Sequence, residues 1–332
     1  MKKLFSLLAL LVTVTFAAGA QSVQVATLTH EGTITSYTGA NALRDAYTAA
    51  VDGDVITLSS GSFSSVNFEK RITVRGAGMG VKINDSDPYI EPTILKGRLN
   101  IKADANNNNF FKLEGILCEE SVWLFGVNEA QFSKCRFADL DYSAGNGGFE
   151  RTSFINCVID KGSICYNASM TFYGCYLKDF SAQSNGSHHN ITNCILHIVE
   201  KSYFQEYACV VKNSIYLNSN GNGNCDNNGT AFNSIWSGKI LSSVDNPFFK
   251  TIESHNNTIV PEGTQLFKEG TFYQLTDEAK KYLGDDGTEV GLYGGSLPFD
   301  PTPTNPQITK FNVAPKTTAD GKLSVDIEVN AK

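Results

Sequence analysis

The sequence predicts an all-β fold, a right-handed parallel β-helix, from three observations. A phrase such as "FINCVIDKG" recurs about every 20 residues along most of the chain. Each copy combines short apolar runs with a corner made of Asn and a small residue. Helical patterns of ordinary length are missing between the copies. A unit this short can bury its apolar face only against its neighbours, so the repeat predicts a single solenoid of about ten coils.

The N-terminal residues 1–20 have the pattern of a secretory signal peptide. Lys2 and Lys3 precede a short apolar run, and the small residues Ala18-Gly19-Ala20 follow it. We therefore expect export across the inner membrane, to the periplasm or the cell surface. No later segment is apolar enough to span a bilayer, so no transmembrane segment is expected.

The charge of the chain argues against nucleic acid as a partner. The formal net charge is −7 over the whole sequence. Partners that are held by charge alone, such as nucleic acid, need clustered Lys and Arg. The sequence has no such cluster, so nucleic-acid binding is not expected.

One position of the repeat, which we call the register position, holds a small residue that should turn into the narrow corner of each coil. The Asn before it should adopt the left-handed backbone of a tight bend, and its amide should bond to the same Asn one coil away. The residues three before and two after the register position are mostly large and apolar, so they should face inward. The predicted register residues are Gly115, Cys135, Cys157, Cys175, Cys194, Ser214, Ser234 and Thr258, with Gly76 and Gly97 upstream.

The eight cysteines divide into two sets. Those at the register position should point inward on parallel vectors, whereas a disulfide needs crossed geometry. We expect these four to be reduced and buried, as small apolar side chains. A disulfide bridge within the second set remains open, and the lack of a CxxC motif gives zinc little support. The second set is Cys118, Cys165, Cys209 and Cys225.

The residue after the register position is apolar in most coils, although it should face outward. Such a strip is unusual on a soluble surface and normally marks something covered. Two covering segments are candidates, the loop 244–252 and the alternating tail 323–329, and we favour the tail. The strip is Ile116, Arg136, Val158, Tyr176, Ile195, Ile215, Ile235 and Ile259.

The two ends of the solenoid need caps. Apolar residues at helical spacing in 41–51 predict an amphipathic helix over the first coil. Thr276 should cap a short helix that ends before Gly284. The expected organisation is a β-helix domain at 21–300, a Pro-rich linker at 301–307 and a β-hairpin at 308–332.

Residues 41–300 resemble known β-helix proteins. The opening "DGDVITLSSGSF…ITVRGAG" resembles the N-terminal coils of the pectate-lyase-like superfamily. The "NC-x-I" coils and the phrase "DGTEVGLYGGSLPF" resemble secreted proteins of gut-type Gram-negative bacteria. The resemblance implies a face that meets polysaccharide. Enzymes of the superfamily are lyases with an Arg or Lys base, often with calcium, or hydrolases with clustered Asp.

A line of acidic residues just past the register position is the candidate site. Stacked coils would bring these carboxylates close together, as a calcium site or a carboxylate pair. The other interpretation, which we favour, is a solvated face of alternating charge. Candidate catalytic residues are Asp139, Asp160, Asp179, Lys161 and Lys178. Candidate calcium ligands are Glu119, Asp139, Asp141, Asp160 and Asp179, with Glu120 beside them.

Two function classes remain open. The first is non-catalytic binding of a glycan or a cell-surface protein. The second is a polysaccharide lyase or glycoside hydrolase acting on an acidic plant or host polysaccharide. The sequence lacks the Gly-His-Gly-type loop of the hydrolases, which favours binding. The candidate rings for sugar contacts are Trp123, Tyr142, Tyr166, Tyr173 and Tyr203.

Overall fold

The structure is a computed structural model of the chain. The expected signal peptide, the loop 244–252, Cys225, Tyr166 and Tyr203 lie outside the residues that it describes. The described residues are 24–102, 111–143, 149–165, 168–183, 188–199, 209–219, 230–238, 255–261, 263–305, 307–313, 316, 320–322 and 324–330.

The described residues contain one α-helix, one 3₁₀ turn and 26 strands. The α-helix α1 spans Ala42–Ala49, and the 3₁₀ turn spans Ala279–Lys281. The strands are β1 (Val25–His30), β2 (Thr33–Thr38), β3 (Val55–Leu58), β4 (Gly61–Ser64), β5 (Thr73–Arg75), β6 (Thr93–Lys96), β7 (Leu99–Lys102), β8 (Lys112–Glu114), β9 (Ile116–Phe125), β10 (Gln131–Ser133), β11 (Arg136–Ser143), β12 (Phe149–Ile155), β13 (Val158–Ile159), β14 (Gly162–Cys165), β15 (Ala168–Tyr173), β16 (Tyr176–Lys178), β17 (Phe180–Gln183), β18 (His188–Thr192), β19 (Ile195–Ile198), β20 (Cys209–Lys212), β21 (Ile215–Asn218), β22 (Thr230–Phe232), β23 (Ile235–Gly238), β24 (Thr258–Val260), β25 (Gln307–Val313) and β26 (Val325–Asn330).

Strands β3 to β24 form a parallel β-solenoid of about seven turns, which confirms the fold class. Each turn runs from a strand of the first sheet, around the Asn corner, into a strand of the second sheet. The first sheet has the order β2-β1-β3-β5-β8-β10-β12-β15-β18-β20-β22. The second has the order β24-β23-β21-β19-β16-β13-β11-β9-β6-β4, with β7, β14 and β17 pairing beside it.

The prediction of about ten coils was too high, and Gly97 shows one reason. The Gly76 N–H donates to the Glu114 carbonyl at 2.8 Å, so residues 76 and 115 are corners of adjacent coils. Gly97 therefore lies inside one long turn, between β6 and β7. A glycine at the expected spacing was counted as a corner although it belongs to another bend.

The predicted register column is confirmed for its six central residues, all fully buried. Parallel pairing aligns the following positions, for example Val158 with Tyr176. The two ends were misplaced by one residue. Gly115 is a corner with φ of 66°, and Ile116 takes the register position. At the other end Thr258 pairs with Ile235, so Asn257 is the register residue.

Hydrogen bonding explains which residues the register position accepts. The Cys157 N–H donates to the Cys175 Sγ at 3.4 Å. The Cys194 N–H donates to the Ser214 Oγ at 3.0 Å. The Ser234 N–H donates to the Asn257 Oδ1 at 3.0 Å. The buried N–H of each register residue therefore needs an acceptor on the register side chain of the next coil, and that side chain must be small.

The cysteine prediction is confirmed for the register set. All four thiols are buried and unbonded to one another, and so are the thiols of Cys118 and Cys209. Burial raises the pKa of the Cys118 thiol and raises the pKa of the Cys209 thiol to about 12. These side chains act as inert parts of the core.

The corner asparagines adopt the predicted left-handed backbone, but their amides do not form a continuous column. Asn156, Asn193, Asn213 and Asn233 have φ between 47° and 53°. An Asn–Asn bond between coils occurs where Asn256 Nδ2 donates to Asn233 Oδ1 at 3.0 Å. Asn156 and Asn213 instead bond to the segment 263–305, which we call the strap. Bonds to the strap thus replace the expected bonds between asparagines at Asn156 and Asn213.

The outward strip is covered, as predicted, but by the strap and not by the favoured tail. Val158, Tyr176, Ile195, Ile215 and Ile235 are all buried in one apolar cluster. Their covering side chains come from the strap, together with Met79 from an excursion before β6. The tail forms its own antiparallel pair, β25 with β26. The strap residues in this cluster are Leu266, Leu275, Ala279, Val290, Leu292 and Phe299.

The strap runs back along the corners toward the N-terminal end. Asp285 bonds to Asn213, Asp300 to Lys134, and Asn305 to the Gly76 carbonyl. The described part of the expected linker is thus packed, with Pro301 and Pro303 buried. Each hydrogen bond ties one coil to a chain segment more than 70 residues away along the sequence.

The N-terminal cap is confirmed and has a second component. Helix α1 buries Ala42, Leu43 and Ala46 against the core. The hairpin β1–β2 then pairs antiparallel with β3, so no bare parallel edge remains there. Thr276 does cap the later turn, since its Oγ1 accepts the Ala279 N–H at 3.3 Å, but only one 3₁₀ turn follows.

Candidate functional site

The predicted acidic residues have separate partners. Asp160 forms an ion pair with Arg136, with Nε and Oδ2 at 2.8 Å. Asp179 has a left-handed φ of 43°, and its Oδ1 accepts the Val199 N–H at 2.8 Å. Through these contacts Asp160 and Asp179 stabilise the outer surface of the coils.

The stacking order alternates acids with bases. Leu140 pairs with Gly162, which places Asp139 beside Lys161, and Gly162 pairs with Phe180, which places Lys161 beside Asp179. Ile159 pairs with Leu177, which likewise places Asp160 beside Lys178. The backbone pairing thus matches the alternating-charge interpretation.

The remaining acids lie around an irregularity of β9 and β11. Glu119 and Glu120 are exposed where the pairing register shifts between Phe137 and Asp139. Asp139 accepts a hydrogen bond from the Ser121 hydroxyl at 3.3 Å. Among the described residues, no three His, Cys, Asp or Glu side chains come together in a group that could hold a metal ion.

Asp141 belongs to a different surface, which we call the third face. It consists of β7, residues 121–125 of β9, residues 139–143 of β11, β14 and β17. Leu99, Val122 and Leu140 point into the core from these strands. Because side chains alternate along a strand, their neighbours form a row on the outer surface. This row, the axial column, is Asn67, Asn100, Trp123, Asp141, Ser163 and Ser181.

Trp123 lies in the middle of the axial column and is only partly buried. Its ring stacks with Phe125, with centroids 5.9 Å apart and planes at 24°. The Arg98 guanidinium lies 5.1 Å from the Trp123 centroid, and Lys102 Nζ lies 5.9 Å from that of Phe125. The indole N–H of Trp123 is buried and has no acceptor among the described residues. A buried donor without an acceptor is costly and needs an explanation.

Asp141 is the neighbour of Trp123 in the next coil. Its side chain is half-buried, and within the described residues it makes no hydrogen bond or ion pair. Burial raises the pKa of this carboxyl, and the Asp139 charge adds to the effect, while Lys161 and Arg98 act against it. The column therefore holds an unused acceptor beside an unused donor.

A second polar cluster joins the solenoid to the strap. The Tyr176 hydroxyl lies 2.5 Å from His197 Nδ1 and 3.0 Å from the Tyr273 hydroxyl. His197 Nε2 lies 2.8 Å from the Ser219 Oγ. Burial lowers the pKa of His197, and the charges of Asp179 and Lys178 raise and lower it in turn. Stacked rings of Tyr176 and Tyr273 fill the space beside it.

The His197 cluster predicts a loss of stability in mild acid. Its pKa is lower in the folded protein than the unfolded value of about 6.5, so the folded state binds fewer protons. The contribution is present above about pH 6.5 and decreases as the pH falls toward the folded pKa. Urea midpoints at pH 7.5 and 5.5 should differ more for the wild type than for His197→Gln. If the change in urea midpoint between the two pH values is the same in both proteins, this assignment is contradicted. The pKa of His30 is raised by Asp54, so His30 acts with the opposite sign, but it does so equally in both proteins and does not affect the comparison.

Sequence reasoning found part of this geometry. Trp123 and Asp141 were candidates, but Arg98, Asn100 and His197 were missed. The strands of the third face have few residues and lack the Asn-Cys phrase, so no pattern assigned their outward positions. Knowledge of the pairing register would have aligned Asn100, Trp123 and Asp141.

No protein-family model matches the sequence, and no similar protein was found among curated proteins or solved structures. Within the part of the chain that the structure describes, no helix has the length and apolarity to cross a bilayer.

Proposed function

We propose that this chain is an exported, non-catalytic glycan-binding protein of the pectate-lyase-like superfamily. The observation that carries the proposal is the axial column, where Asp141, whose carboxylate makes no hydrogen bond or ion pair among the described residues, is the strand-paired neighbour of Trp123. Export rests on the leader-like residues 1–20, with the periplasm or the cell surface as the destination.

Sugar hydroxyls fit the unused groups of the column. A sugar hydroxyl can donate to the Asp141 carboxylate, which supplies the partner that this group lacks. Arg98 and Asn100 add donors, and Asn67 Oδ1 fixes Asn100 by accepting from its amide at 2.8 Å. Flat rings beside polar groups suit ligands that present both C–H groups and hydroxyls.

The shape of the column favours a chain-like ligand. Six residues from successive coils lie in one row, which at a spacing of about 4.8 Å gives a length of roughly 24 Å. A polysaccharide lying along the solenoid axis would contact several coils. The row carries a single charged residue, Asp141, and its other polar members are neutral, which favours a ligand held by hydrogen bonds over one held by charge alone.

The lyase or hydrolase alternative has less support. Asp160 and Asp179 are engaged by Arg136 and by the Val199 N–H. A general base must reach the proton that it removes, and its pKa should be near the working pH. The pairing of acids with neighbouring bases gives no shared carboxylate site of that kind.

The test is a binding screen with matched variants. Purified protein is titrated by calorimetry with pectin, alginate, glycosaminoglycan and neutral plant polysaccharides, with product release followed in parallel. We expect binding without cleavage. Asp141→Asn should weaken it about tenfold or more, because a hydrogen bond to a charged group contributes about 1.5–3 kcal/mol. Trp123→Leu should also weaken it, because the change removes the flat ring that contacts the sugar.

The controls are Glu119→Gln, an exposed acid at the same edge, and Tyr89→Leu, an exposed ring far from the third face in sequence. Both should bind like the wild type. Equal affinities for all five proteins would refute the column as the binding site. Reducing ends or unsaturated products released by the wild type would refute the non-catalytic part.

A further inference from the structure

A concave site lies where the strap crosses the corners of three central coils. The cleft has a volume of about 590 Å³, within the range of about 300–1,000 Å³ that small-molecule sites occupy. Most of its lining residues carry a polar group, and Tyr173 provides its aromatic side chain. The lining includes Tyr173, Asn193, Lys212, Asp285, Asp286 and Ser296.

The walls of the cleft are fixed by hydrogen bonds between solenoid and strap. The Tyr173 hydroxyl accepts the Ser296 N–H at 2.8 Å. Asn213 donates from Nδ2 to Asp285 Oδ1 at 2.8 Å. Asp286 accepts the Thr288 hydroxyl at 2.7 Å and thereby shapes the turn. Because these bonds exist before any ligand enters, a ligand would not have to order the walls.

The corner residue Asn193 supplies an unsatisfied group within this lining. It is 1% exposed, and its Nδ2 has no acceptor among the described residues. The strap approaches it so closely that a Cβ at Gly294 would lie 2.7 Å from Nδ2. A Cβ at Gly295 would collide with the Tyr173 hydroxyl. Glycine at both positions therefore preserves the cleft as well as the packing.

The donors and acids of the lining together indicate the chemistry of the ligand. Lys212 is exposed and forms no ion pair among the described residues, and the Ser296 hydroxyl can still donate. Asp285 and Asp286 lie in the same lining, so a strongly anionic ligand would be repelled. A neutral ligand with several hydroxyls can meet both kinds of group.

We propose that this cleft binds a short neutral oligosaccharide. The site is separate from the third face and goes beyond the function proposed above, so either can hold without the other. It lies on the corner side of the coils, where the strap and the solenoid contribute opposite walls.

The test uses cellotriose, xylotriose and mannotriose as probes on the full chain. We expect at least one to bind, with a shift of the Asn193 side-chain amide resonance in ¹⁵N-labelled protein. Lys212→Ala and Ser296→Ala should each weaken that binding about fivefold to tenfold, while Asp141→Asn on the third face and Lys161→Ala leave it unchanged. Thermal unfolding checks that all variants remain folded.

Three results would contradict the proposal that the cleft binds an oligosaccharide. The first is that the wild type binds none of the trisaccharides, and the second is that Lys212→Ala and Ser296→Ala both bind as well as the wild type. The third is that only Asp141→Asn loses binding. The last would place the trisaccharide on the third face. Loss of polysaccharide binding in the earlier screen leaves the cleft test unaffected, because its readout is the Asn193 amide.

Discussion

Replacing Ile195 with aspartate is expected to detach the strap or to lower the free energy of unfolding by about 4 kcal/mol or more. Ile195 is fully buried between the solenoid and the strap. Its loss removes about 1.5–3 kcal/mol of apolar burial, and a buried carboxylate without a partner adds a further penalty. Urea unfolding followed by tryptophan fluorescence, with binding of an apolar dye, gives the two readouts.

Ile195→Val is the matched control, with an expected cost of about 0.5–1.5 kcal/mol and no dye binding. Limited proteolysis separates the two outcomes of the aspartate variant, because a detached strap is cut within 263–305. An Ile195→Asp protein with wild-type stability, no dye binding and an intact strap would contradict the covering role given to the strap.

Phe154→Ala is expected to lower the free energy of unfolding by about 3–5 kcal/mol. Phe154 stacks between two phenylalanines of the neighbouring coils, with centroids 4.8 Å from Phe132 and 4.9 Å from Phe172. Phe137 meets the ring edge-on. A cavity at this point removes contacts on both sides, because a close-packed solenoid interior cannot collapse along its axis.

The control for this prediction is Phe232→Ala, since Phe232 points outward and stacks on His255 at the surface. Its expected cost is about 1 kcal/mol or less. Comparable losses for the two variants would show that the inner stack does not carry the stability assigned to it.

The repeat could be predicted because each coil must solve the same corner problem. A buried N–H at the register position needs a small acceptor, and Cys, Ser and Asn all provide one. The same tolerance caused the error at the last coil, where "HNNT" allows two alignments. Only the pairing of Thr258 with Ile235 shows that Asn257 is the register residue.

The strap could not be derived from periodicity. Its apolar residues, such as Leu266, Leu275 and Val290, lie at irregular intervals and repeat neither the helical spacing nor the period of the coils. The outward isoleucines correctly predicted that a cover exists. The isoleucines could not identify the covering segment. The tail has the stronger strand pattern, whereas the strap covers the strip through separate side-chain contacts that need no such pattern.

The candidate site was partly accessible from the sequence. The alternation of Asp139, Lys161 and Asp179 follows from coil length, so the charged face could be anticipated. Asp141 was grouped with these acids, although its place two residues on puts it beside Trp123. That distinction depends on the pairing irregularity after Phe137, which no local pattern in the sequence marks.

Hydroxyl-radical footprinting with a polysaccharide found by the binding screen tests the central claim most directly. Oxidation of Trp123 and Phe125 should fall when the glycan saturates the protein, because the glycan lies along the axial column. Tyr89, whose side chain is 65% exposed, should be oxidised at the same rate with and without glycan. Unchanged oxidation of Trp123 and Phe125 at saturation would contradict the claim that the third face binds the glycan.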